Sequence, residues 1–121
     1  MTKESLLSGR TGESRASLFL QGKGYRILET NYRNKLGEID IIAEKCGVIC
    51  FIEVKTRNSL RFGFPEESVS FSKQRRICRL ALSFLKEKKQ LDSKVRFDVV
   101  SIINSGPKEE IKLIENAFEA G

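Results

Sequence analysis

The sequence predicts an α/β fold, a central mixed β-sheet flanked by helices, and three observations carry that prediction. Two short β-branched runs, 36–44 (LGEIDIIAE) and 48–56 (VICFIEVKT), are separated by Lys45, Cys46 and Gly47 alone, the pattern of a hairpin. Stretches with helical periodicity lie on either side of this strand region. A length of 121 residues suits one domain built around one core. The resulting order, αβββαβ with a short further strand, indicates a sandwich around a mixed sheet.

The elements follow in turn. Residues 5–23 read as a helix whose Glu13, Ala16 and Leu20 fall on one face, ended by Gly22 and Gly24. Residues 25–33 (YRILETNYR) read as a strand, with Tyr25, Ile27 and Tyr32 suited to a pleated surface. Asn34, Lys35 and Gly37 mark the turn into the hairpin. Residues 57–69 hold Gly63 and Pro65 and read as a loop. A second helix over 70–89 carries the apolar stripe Ile77, Ala81, Phe84 and Leu85. Residues 95–103 (VRFDVVSII) form another strand. Asn104–Lys108 turn, and Ile111–Ile114 form a short edge strand.

Composition narrows the chemistry. With 40% hydrophobic and 31% charged residues, the chain is not disordered throughout. Its 22 Lys+Arg against 16 Asp+Glu give a net charge of +6, which favours a polyanionic partner. It has no histidine. That excludes His-ligated zinc, Ser-His and Cys-His pairs, and any imidazole base. Cys46, Cys50 and Cys78 are odd in number and contain no CxxC, so neither a disulfide framework nor a structural zinc site is expected. The setting read from them is reducing and intracellular. The charged opening residues do not resemble a signal peptide, and no apolar run approaches a membrane span. The expectation is a cytoplasmic protein without a membrane partner.

Against this background two carboxylates stand out. Strict alternation groups Ile39, Ile41 and Ala43 on one face of the first hairpin strand, and Glu38, Asp40, Ile42 and Glu44 on the other. In the second strand Ile49, Phe51, Glu53 and Lys55 share a face. If Glu44 pairs with Ile49, Asp40 lies opposite Glu53, with Cβ atoms roughly 4.5–5.5 Å apart. Two like charges there repel, and a divalent cation would reverse that. Lys55 projects from the same face, roughly 6–7 Å along the strand. The plainer alternative is a cross-strand salt-bridge cluster on a solvated sheet face.

The donor types suit phosphodiester hydrolysis. Mg²⁺ (or Mn²⁺) takes carboxylate and water ligands, lowers the pKa of a bound water and holds a phosphate oxygen. The lysine orients that water or offsets charge on the phosphate. Glu13, on the inward side of the first helix, completes the set, whereas Glu38 reads as a supporting or surface acid.

Asp40, twelve intervening residues and then Glu53-Val54-Lys55 resemble the D…ExK core of restriction-endonuclease-like nucleases. GES-R-A at 12–16, GYRILETNYR at 24–33, GEIDII at 37–42, FIEVKTR at 51–57 and KQRR at 73–76 resemble, more closely, the YraN-type family of uncharacterised bacterial predicted nucleases. The resemblance covers about 9–103, with 104–121 left as a C-terminal tail. It implies a restriction-endonuclease-like sandwich with Glu13, Asp40, Glu53 and Lys55 as catalytic residues, the first three holding the metal.

Around that centre, Lys73, Gln74, Arg75, Arg76 and Arg79 form a basic cluster on the second helix, read either as a solvated face or as a phosphate-contacting surface. Lys73 and Gln74, at its start, are expected to reach the site. Tyr32, Arg33, Arg57, Arg61 and Phe62 would flank a nucleic-acid groove. Asp98 reads as a structural ion-pair residue, Cys78 as core, and Cys46 as exposed. The expected function is metal-dependent cleavage of nucleic acid, DNA in preference to RNA, by a structure-specific endonuclease. The alternative is a nucleic-acid-binding accessory protein of the same fold with little or no cleavage. A homodimer would permit paired cuts, though no interface is legible.

Overall fold

The computed structural model describes the backbone of residues 3–57, 69–105 and 108–119, and the side chains of 12–57, 69–104 and 108–119. Helix α1 spans Lys3–Gly22. Ala16 and Leu20 on it are fully buried. It ends where Gly24 takes a φ of 92°, and the Leu20 carbonyl accepts the N–H groups of Lys23 and Tyr25. Three antiparallel strands follow: β1 (Arg26–Asn34), β2 (Gly37–Lys45) and β3 (Val48–Arg57). Cys46 and Gly47 form the β2–β3 turn with φ of 52° and 79°, the double positive-φ arrangement that matches strand twist in a two-residue hairpin. The expected register holds, with Glu44 opposite Ile49, and Lys45–Val48 adds one further pair.

Helix α2 (Phe71–Glu87) carries the chain across the sheet. Ser70 caps it, its Oγ accepting the Lys73 N–H at 3.2 Å. Removing this acceptor in Ser70→Ala is expected to cost about 1 kcal/mol, read as a lower urea midpoint at an unchanged slope. The buried stripe is the expected one with Leu80 added. Strand β4 (Lys94–Ser105) then pairs parallel to β3. The final strand, β5 (Lys108–Phe118), runs antiparallel to β4, giving a sheet in the order β1-β2-β3-β4-β5.

The segment expected as a tail with a four-residue strand is therefore an eleven-residue edge strand. Its glutamates and lysines obscured it in the sequence. They face water, as charges on edge strands do, while Ile111 and Leu113 pack below α1 and Phe118 stacks on Phe97 at 5.0 Å.

The sheet separates two cores. Under α2 lie Tyr32, Ile39, Ile42, Ile49, Phe51 and Phe97. Under α1 lie Tyr25, Ile41, Ala43, Cys50, Ile52, Val100 and Ile102. Ile39 and Ile41, two residues apart, thus face opposite sides, which corrects the strict alternation expected for β2. Beside this step, on β1, Asn31 has a φ of 55°. On both strands the side chains change faces across this point. Tyr32 and its partner Ile39 turn to α2, whereas Thr30 lines a groove with α1 residues and its partner Ile41 packs under α1. Asp40 occupies the step.

On the α1 face Asp98 is fully buried. Its carboxylate accepts from Arg96 Nε at 2.9 Å and Nη2 at 3.0 Å, and from the Asn116 N–H at 2.8 Å. The structural reading of Asp98 holds, and its role is to pin β5 where the β4–β5 register shifts. Cys46 is exposed, Cys78 packs at the edge of the α2 core, and all three cysteines are free. Burial pushes the Cys50 thiol up to about 11, so it remains a neutral core side chain. Among the described residues no helix is long and apolar enough to cross a membrane.

Candidate metal centre

The recorded β2–β3 pairs stop at Ile41–Ile52. Beyond that point Asp40 and Glu53 do not form the simple opposed pair expected. The Asp40 side chain substitutes for the ladder: its Oδ2 accepts the Val54 N–H at 2.8 Å. Glu53 turns toward α2, where Lys73 Nζ donates to its Oε1 at 2.6 Å and Lys55 Nζ lies 3.7 Å away. The Glu53 charge still acts on Asp40 from there.

Asp40 instead meets two other acids. One carboxylate oxygen from each of Glu13, Glu38 and Asp40 lies within 4.8 Å of the others. Glu13 arrives from α1, which approaches β3 closely at Gly12; a Cβ there would sit 3.1 Å from Thr56 Oγ1. Glu38 arrives from β2. Its carboxylate also accepts from Arg33 at 2.6 Å. Among the described side chains no lysine or arginine is bonded to Glu13 or Asp40.

The electrostatics follow from this crowding. Burial, then the negative charge of Glu53, pushes the Asp40 carboxyl up to about 7, with Glu13 and Glu38 adding to the effect and the Val54 hydrogen bond opposing it. Burial and the neighbouring Lys73 ammonium lower the Lys55 pKa. Burial acts against the Lys73 charge too, but the hydrogen bond and charge of Glu53 outweigh it and raise its pKa. The two lysines are thereby driven apart in acidity, with Lys55 the one that releases a proton more readily.

Three converging carboxylates, one with its pKa raised by burial and by neighbouring charge, form a donor set that fits a hard divalent cation, which would relieve their repulsion. Glu38 is the member that sequence reasoning set aside. Its position two residues before Asp40, in GEID, was the available signal. Lys73 does reach the centre, through Glu53. Gln74 does not: its amide donates back to the Val69 carbonyl at 3.0 Å. Arg33 is engaged with Glu38, Arg57 lies at the end of β3 two residues beyond Lys55, and Arg76 is exposed on α2. Tyr32 packs in the α2 core, its hydroxyl 3.0 Å from Glu87. Arg61 and Phe62, with the loop that holds them, lie outside the described residues.

A mixed five-stranded sheet between helices, with acids and lysines where two central strands part, is compatible with a restriction-endonuclease-like sandwich. The chain belongs to the uncharacterised protein family UPF0102, whose sequence pattern matches residues 12–102. A UPF0102 protein of Caldicellulosiruptor saccharolyticus is 46% identical over 120 residues, 98% of this chain and 100% of the relative. One from Alkaliphilus metalliredigens is 47% identical over 91% of this chain and 96% of its own length. One from Geobacter metallireducens is 48% identical over 92% and 91%.

Proposed function

We propose that this protein is a metal-dependent hydrolase of nucleic-acid phosphodiester bonds, acting as a structure-specific DNA endonuclease. The observation that carries the reading is the convergence of Glu13, Glu38 and Asp40, with Glu53, whose charge also acts on Asp40, paired to a lysine of lowered pKa. Glu13, Glu38 and Asp40 would hold Mg²⁺ or Mn²⁺, which supplies charge neutralisation at the phosphate and a more acidic water. Lys55 orients the attacking water and offsets charge that develops at the phosphate. Glu53 sits between Lys55 and Lys73 and fixes both ammonium groups. Lys73 and Arg57 offset the charge that builds on the phosphate. The net charge of +6 supports a polyanionic substrate.

The test is a panel of single-stranded, duplex, flapped and four-way DNA, with matching RNA, incubated with Mg²⁺ or Mn²⁺. Cleavage of at least one member is expected, and Lys55→Ala should lower its rate at least about a hundredfold, the scale of losing one positioned donor at the developing charge. Binding without cleavage across the panel would replace this reading with that of an accessory nucleic-acid-binding protein.

A further inference from the structure

We propose that the outward face of α2 is a docking surface for an unpaired nucleic-acid strand, with one base stacked on Phe71. The inference rests on the reading of the neighbouring centre as one that acts on nucleic acid, and it names the form of substrate. Phe71 is the first residue of α2, and its ring is 73% exposed. An apolar ring this open gains by being covered. One turn further on, the Arg75 guanidinium lies over that ring, 5.9 Å from its centroid. The pair borders a surface depression shared with Arg76 and Arg79 of α2 and with Lys35 and Leu36 of the β1–β2 turn.

Charge selects the occupant. The depression is lined by four cations and no acid, and residues 71–86 contain no Asp or Glu. A polyanion fits such a wall; an apolar protein partner would have to desolvate the cations. The ring selects among polyanions. Duplex bases are already stacked on one another, whereas an unpaired base offers a free π-face to an aromatic ring and an arginine. Placement ties the surface to the centre, because Lys73, on the first turn of the same helix, is bonded to Glu53. A strand lying along this face therefore reaches the helical turn that carries Lys73 and its partner Glu53.

The experiment uses the whole chain in EDTA, so that binding is read without cleavage. Fluorescence anisotropy follows a labelled fifteen-nucleotide oligo(dT) and a hairpin duplex of similar length. Phe71→Ala should weaken oligo(dT) binding about tenfold, the scale of one lost stacked base, and leave the duplex within about twofold. Phe71→Trp should restore it. Arg79→Gln should weaken both ligands alike and flatten their salt dependence. A 2-aminopurine in the strand should be quenched by the parent protein and not by Phe71→Ala, a signal that charge alone would not produce. Equal losses on both ligands, no loss, or no quenching would overturn the proposal. So would light scattering in which Phe71→Ala turns a dimer into a monomer with strand binding unchanged. Absence of cleavage in the substrate panel leaves this test intact, whereas absence of any binding by the parent protein would sink both readings.

Discussion

Asp40→Asn is expected to make the protein more heat-stable without metal and, at the same time, unable to cleave. The folded protein holds the Asp40 carboxyl at about 7, against an ordinary value of 3.8. Between those values the folded state keeps a proton that the unfolded chain has released. Stability contributed by this group therefore falls as pH rises through the window, and the full penalty applies above about pH 7. Converting the whole gap would give roughly 4 kcal/mol. Partial exposure of the site reduces that to about 1–2 kcal/mol.

Asparagine retains an oxygen for the Val54 N–H and removes the charge. In EDTA at pH 8 its melting temperature should exceed that of the parent by about 4–8 °C, and the difference should vanish below about pH 4. Excess Mn²⁺ should raise the melting temperature of the parent by linkage and leave the variant unmoved. A variant that melts lower than the parent in EDTA would show that Asp40 is not repelled by its neighbours, and the candidate metal centre would fall with it.

The second large effect belongs to β4, where it meets the edge strand. Asp98→Ala removes a fully buried carboxylate that faces Arg96 and the Asn116 N–H. Arg96, whose pKa the hydrogen bond to Asp98 raises, would keep its charge and retain only the Tyr25 hydroxyl at 2.6 Å and a distant Glu115. The backbone N–H of Asn116 would be left without its acceptor. Stripping one partner from a buried pair costs about 3–5 kcal/mol. The lower end is expected because the Arg96 side chain is 24% exposed and can reach water. Chemical denaturation should report this loss, and hydrogen exchange should show β5 opening first. A change under 1 kcal/mol would mean that the aromatic row Phe51–Phe97–Phe118 holds the edge strand without the ion pair.

Much of the architecture was legible because it is local. Turn residues and apolar periodicity place both helices and the three-strand meander, and the Cys46-Gly47 turn preserves the register that the spacing predicts. Strand β5 was read short because its charges break the apolar pattern, and its place comes from partners far along the chain, Phe97 and Asp98. The absence of histidine restricted the chemistry to carboxylates, lysines, hydroxyls, thiols or a bound cation, and Asp40, Glu53 and Lys55 were visible as charges inside apolar strands.

What tertiary structure decided is which acid stands with which. The step in β2 beside the left-handed Asn31 lets Asp40 meet acids other than Glu53, whose charge it still feels. Asp40 meets Glu13 from a helix and Glu38 from its own strand, while Glu53 is given to two lysines. Alternation rules assume a regular strand, and the step at Asp40 breaks that regularity. The sequence by itself therefore determined the kind of chemistry the chain can support, through its residue types. Only the packing of α1 and α2 onto the two sides of the parted strands decided which of those residues share a centre, because that depends on contacts between segments distant in the chain.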